Sequence, residues 1–168
     1  MLADYHVHTG FSDDSTYPLR QVALDAARLN LDEVCFTEHV DYGVKPEWDE
    51  PATARFEDGH PVTNCPYEPY LDELDAVRAE LGDRVSLRAG LELGVQRHTV
   101  EKNRGLVARL GNRLDFVICS IHQVGDLEFW NGDYHAAARR RRSTSRTTRR
   151  CSPWCATSAT TTSSATST

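Results

Sequence analysis

The stretch ADYHVHTGFSDDSTYPLR, Ala3 to Arg20, contains one full round of the pattern that organises this chain. Ala3 to Val7 reads as a short strand, and a polar loop follows it. Pro18, suited to a first helical turn, opens an amphipathic helix whose apolar positions Leu19, Val22, Ala23, Ala26 and Leu29 recur at helical spacing. Moving outward, Glu33 to Thr37 reads as a buried strand and Tyr67 to Leu81 as a helix with Tyr70, Leu71, Leu74, Val77 and Leu81 on one face. Val85 to Leu91 is a strand, Val100 to Leu110 a helix, and Phe116 to Ile121 a further strand. Strands alternating with helices imply parallel βα units. A long polar segment with Pro46, Pro51, Pro61 and Pro66 separates the second strand from the second helix. Its length exceeds an ordinary connection, so it is either an active-site loop or a disordered insertion.

The 168 residues carry a net charge of −6, unevenly spread. Ala138 to Thr168 holds seven arginines and no acid, which leaves 12 basic and 25 acidic residues before it, a balance of −13. A body so acidic is not expected to seek nucleic-acid phosphates. No apolar run approaches the ~20 residues of a membrane span, and no basic, apolar leader is recognisable, so a cytoplasmic protein is expected. The five cysteines are irregularly spaced, and Cys35 and Cys119 fall inside apolar strands, which favours buried thiols over a disulfide framework.

Each strand delivers an imidazole or a carboxylate at its C-terminal end: His6 and His8 on the first, His39 after the second, Glu92 after the third and His122 after the fourth. In parallel α/β barrels that end carries the active site. The strand period of two sends His6 and His8 to the same side, where they can chelate one metal ion while Val7 packs the other way. A lone H-x-H is weak, but four strand ends bearing such groups are a strong signal. Asp13 and Asp14 are candidate caps for the helix near Pro18, a reading that suits Asp13 better.

The motifs DYHVHTGFSDDS, FTEHVDY, GLELGVQ and SIHQV together resemble the polymerase and histidinol phosphatase (PHP) family, in that family's order, over residues 1 to about 135. Within it the chain is most similar to stand-alone histidinol-phosphate phosphatases, whose fold is a distorted barrel of about seven βα units. The resemblance implies two or three divalent metal ions, commonly zinc, manganese or iron. His6, His8, Asp14, His39, Glu92 and His122 take the places of the ligands, with Glu92 expected to bridge two ions. It also implies that water activated by the metals is the nucleophile, with no protein nucleophile. Glu38 and Asp41 are candidate partners for the outward nitrogens of the ligating imidazoles, or solvated loop charges. Arg97 is a candidate phosphate clamp, or an exposed residue at a helix start. The implied reaction is hydrolysis of a phosphomonoester, L-histidinol phosphate before others, in histidine biosynthesis, with the acidic loop 47–58 available to a substrate amine. A PHP-type phosphodiesterase or exonuclease, and a non-catalytic metal-binding remnant, are the competing classes.

Four βα units are about half of the ~250 residues such a barrel uses, and neither the G-H-L-D nor the final D-x-H motif of the family is present. Residues 1–137 are therefore expected to form the N-terminal part of an incomplete barrel, poorly active alone, and residues 138–168 a disordered Arg/Ser/Thr-rich tail. Moving the tail's reading frame back by one nucleotide restores a polar and apolar order that permits a helix, a loop and a strand ending in G-H-L-D. A frameshift is thus the expected origin of the tail, against a plain basic, disordered extension.

Overall fold

The four segments that read as principal strands form one parallel sheet in the computed structural model, which describes residues 1–57 and 59–141. In chain order the elements are β1 (Ala3–Val7), α1 (Leu19–Arg28), β2 (Glu33–Val40), β3 (Phe56–Glu57), β4 (His60–Pro61), α2 (Tyr67–Leu81), β5 (Ser86–Gly94), α3 (Val100–Leu110), β6 (Phe116–Ser120), β7 (Gln123–Val124), β8 (Leu127–Glu128) and α4 (Asp133–Arg141). The sheet order is β1-β2-β5-β6 with every neighbouring pair parallel, so the strands line up as they occur in the chain. Helices α1, α2 and α3 make the crossovers that parallel pairing demands.

The sheet is strongly curled. Tyr5 and Phe116 lie on its two edge strands, yet their rings meet edge-on with centroids 5.2 Å apart. That curvature is the half-barrel shape expected from the βα alternation. On the outer face Val34, Phe36, Val40, Leu87, Leu91 and Leu93 pack against Leu19, Tyr70, Leu71, Leu74 and Leu106 of the helices, all of them buried. The Tyr70 hydroxyl donates between the carbonyls of Phe36 and Gly90, each 3.1 Å away, and accepts from the Gly90 N–H at 3.2 Å. Gly90 has no room for a side chain, because a Cβ there would stand 2.8 Å from the Phe36 carbonyl oxygen and 2.9 Å from Cys35 Sγ.

Three features differ from, or decide between alternatives of, the sequence reading. β2 runs on to Val40 and β5 to Gly94, with Thr37↔Gly90 and His39↔Glu92 still paired, so His39 and Glu92 sit inside strand ends rather than after them. Polar residues ended the apolar pattern early, but the backbone ladder continues through them. The described part of the long segment 41–66 is packed rather than disordered, with Val62, Asn64 and Cys65 buried and the β3–β4 hairpin within it. The third difference is at α1, which begins after Pro18 with no side-chain cap, so Asp13 has another role.

Cys35 and Cys65 are buried thiols, and Cys119 is half-buried. Burial pushes the Cys35 thiol up to about 12 and raises Cys65 well above the ordinary value. Very little Cys35 thiolate is then present near neutral pH. Both residues should resist iodoacetamide in native buffer and react once urea unfolds the chain. Peptide mass spectrometry checks this, and rapid native labelling of Cys35 would show a looser core. No helix among the described residues is long and apolar enough to cross a membrane. The tail from residue 142 onward, with the expectations placed on it, lies outside the described residues.

Candidate metal centre

The C-terminal ends of all four strands converge, as parallel pairing in chain order requires, and bring the histidines and carboxylates of distant segments together. Glu92, 3% exposed, is the hub. Its Oε2 lies 2.6 Å from His6 Nε2 and 3.3 Å from His8 Nε2, while its Oε1 lies 2.9 Å from His122 Nε2 and accepts from Ser120 Oγ at 2.6 Å. Burial alone would raise the Glu92 carboxyl, but the hydrogen bonds from His122, His8, Ser120 and His6 hold it well below the usual range. It is therefore an anion at any physiological pH.

His39 is the second centre. Its Nε2 lies 3.0 Å from Asp14 Oδ2, its ring stacks on His8 with centroids 4.3 Å apart, and its Nδ1 is 3.8 Å from Glu92 Oε2. Burial and the nearby charge of Lys45 lower its pKa, which keeps the ring neutral and its lone pair available. His122 differs. Burial would lower it, but the carboxylates of Asp41 and Glu92 on its two nitrogens raise it to about 9.

The six residues expected as ligands, His6, His8, Asp14, His39, Glu92 and His122, all fall within three contiguous groups: His6, His8 and Glu92; His8, Asp14 and His39; and His39, Asp41 and His122. In each group the donor atoms lie within 4.8 Å of one another. The Nδ1 atoms of His8 and His39 are buried without a hydrogen-bond partner. Buried polar atoms are rarely left so. Imidazoles and ionised carboxylates around such atoms are the donor set of a borderline divalent cation such as zinc, and the residues fit that group.

Of the candidate partners, Asp41 does face a ligating ring: its Oδ1 accepts from His122 Nδ1 at 2.7 Å. Glu38 makes no hydrogen bond to an imidazole among the described residues. It accepts from the Thr9 N–H, the Thr9 hydroxyl and Ser12 Oγ, and Ser12 Oγ in turn accepts from the His39 N–H at 2.9 Å. Glu38 thus pins the loop that carries Asp14 to His39. Arg97 is exposed in the turn before α3 and is not among the residues that line the cavity. Asp13 accepts from Lys45 Nζ at 2.5 Å instead of capping a helix. Lys45, Ser12 and Ser120 escaped the sequence reading, because single polar residues at strand ends and in loops carry no spacing signal.

The cluster lines a cavity of about 590 Å³ together with Ile121, Phe129, Trp130 and Glu57. A curled parallel sheet with a His- and carboxylate-lined cavity at its C-terminal strand ends defines a metal-binding α/β barrel protein. The PHP domain model matches residues 4–159, and the chain belongs to the PHP family. It is 34% identical over 130 residues to a histidinol-phosphatase of Lactococcus lactis, covering 77% of this chain and 42% of that protein. A histidinol-phosphatase of Bacillus subtilis is 27% identical over 120 residues, covering 71% and 43%. The crystal structure of Lactococcus lactis histidinol phosphate phosphatase complexed with zinc, L-histidinol and phosphate superposes with a TM-score of 0.62 at 29% identity, over 76% of this chain and 42% of that one. The chain spans less than half the length of these relatives.

Proposed function

We propose that this chain carries the zinc-binding part of a cytoplasmic enzyme that hydrolyses L-histidinol phosphate to L-histidinol and phosphate in histidine biosynthesis. The observation that carries the reading is the convergence of His6, His8, His39 and His122 on the Glu92 and Asp14 carboxylates, with two buried imidazole nitrogens left unpartnered. The likeness to a phosphatase crystallised with zinc, L-histidinol and phosphate supports the substrate.

When bound, divalent ions supply Lewis acidity, which makes water a nucleophile near neutral pH and offsets charge on the phosphoryl oxygens. His6, His8 and Glu92 would hold one ion, and Asp14 with His39 another. Glu92 also reaches His122, so one carboxylate ties the three strand ends into a single unit. Asp41, 2.7 Å from His122 Nδ1, fixes the ring so that Nε2 faces Glu92. Phe129 and Trp130, which also line the cavity, offer aromatic surface to a planar ring, and the Glu57 carboxylate offers charge to an ammonium group.

The test loads the purified chain with zinc and titrates it with L-histidinol phosphate, inorganic phosphate and single-stranded DNA, following phosphate release in the same samples. Preferential binding of L-histidinol phosphate, with any release abolished by a chelator, is the expected result. Zinc binding accompanied by cleavage of DNA, or by indifference to L-histidinol phosphate, would overturn the assignment.

A further inference from the structure

Lys45 lines the site but is neither a ligand of the metal centre nor a part of the proposed reaction. It belongs to the loop after β2, is 8% exposed as a residue, and points its ammonium group into the carboxylate-rich end of the cavity. Nζ donates to Asp13 Oδ1 at 2.5 Å and to Asp41 Oδ2 at 3.0 Å. A lysine is almost never buried without such partners, and here it has two.

The surrounding backbone is built to hold that arrangement. The Lys45 N–H donates to the Asp41 carbonyl at 2.9 Å, and Asn64, fully buried, accepts from the Asp41 N–H at 2.8 Å while donating to the Lys45 carbonyl at 3.2 Å. Gly94 completes the pocket, since a Cβ at that position would stand 2.0 Å from Asp41 Oδ1. The two oxygens of Asp41 are thereby divided: Oδ1 faces His122 Nδ1 and Oδ2 faces Lys45.

Asp41 also belongs to one of the three groups whose donor atoms are close enough to share an ion, with His39 and His122. Both of its oxygens are already committed, one of them to a positive charge at contact distance. A divalent ion arriving there would meet the Lys45 ammonium group 3.0 Å from Asp41 Oδ2 and a carboxylate with no oxygen to spare. We infer that Lys45 is a built-in cation that closes the His39–Asp41–His122 group to metal and so keeps Asp41 as the hydrogen-bond partner that orients His122. Lys45 acts through Asp41 and is a positioning residue. This inference rests on the metal-centre reading and adds to it a limit on how many ions the residues accept.

The experiment counts zinc per chain by calorimetry and elemental analysis, and records the visible spectrum of the cobalt(II)-loaded chain, which reports ligand number and type. In the full chain, Asp41→Asn should leave the zinc count unchanged and weaken affinity about tenfold to a hundredfold, the range for losing a partner of a ligating histidine. Lys45→Met should admit one further ion and change the cobalt spectrum. The double variant Lys45→Met with Asp41→Asn should lose that added ion, and Lys45→Arg, which keeps the charge, should retain the original count. Loss of one zinc in Asp41→Asn alone would overturn the inference by showing Asp41 to be a ligand, and this arm decides the matter even if Lys45→Met does not fold. An unchanged count and spectrum in a folded Lys45→Met would overturn it too. Absence of zinc binding by the unaltered chain would instead overturn the metal-centre reading, and the inference with it.

Discussion

Zinc affinity should fall on the order of a hundredfold or more when Glu92 is replaced by glutamine (Glu92→Gln), beyond the range seen when only a partner of a ligand is removed. The amide keeps the shape of the side chain and removes its charge. Glu92 faces His6, His8 and His122 and accepts from Ser120, so one neutralised carboxylate leaves three imidazoles without their shared anion. Any ion held by His6 and His8 also loses half or more of its charge compensation. Because Glu92 lies at the end of β5, with its ladder partner His39 and the outer-face core untouched, the circular dichroism spectrum should hardly change. Calorimetric titration of the variant checks this, and zinc binding at wild-type strength would remove Glu92 from the centre.

The largest effect on stability is expected from Tyr70→Ala. Removing a fully buried ring costs about 3–5 kcal/mol, and the hydroxyl leaves behind the Phe36 and Gly90 carbonyls and the Gly90 N–H, for a further ~1–3 kcal/mol. Those groups lie on β2 and β5, the two central strands, and are buried with Tyr70. Against the about 5–15 kcal/mol that typically separates folded from unfolded states, such a loss brings the chain close to global unfolding. Urea titration measures it. Tyr70→Phe serves as the companion variant, losing the hydroxyl contribution alone. A Tyr70→Ala midpoint indistinguishable from wild type would mean that α2 does not hold the two strands together as described.

Much of this arrangement was legible in the residues themselves. The helical spacing of Tyr70, Leu71, Leu74, Val77 and Leu81 gave α2 its observed bounds, and the same spacing logic gave α3. H-V-H on a strand placed His6 and His8 on one side, and the strand-end position of His39, Glu92 and His122 placed them opposite. The family resemblance supplied Asp14, which spacing alone left tied with Asp13. What stayed hidden were contacts that sequence distance conceals. Lys45 and Asp13 are 32 residues apart and look like solvated loop charges until the chain folds. Glu38 adjoins a ligand in sequence, but strand alternation turns it to the other face, where it holds Thr9 and Ser12. The β7–β8 hairpin had a readable signal in Gly125-Asp126, both at positive φ between two paired residues. The β3–β4 hairpin, with two residues to a strand, lacked the alternation that marks longer ones.

The chain-order sheet has a consequence for how quickly it can form. Its central pairing joins Glu33 to Ser86, 53 residues apart, and each of the three parallel ladders waits for an intervening helix. No ladder of this sheet can nucleate as a local hairpin, so closure entropy is met before any strand pairing rewards it. The helices, whose contacts are local, can flicker into existence first, while the His- and carboxylate-bearing strand ends come together last. During that interval the edges of β2 and β5 are open to other chains, which makes synthesis rate and chain concentration, rather than final stability, the factors that decide the yield of folded protein.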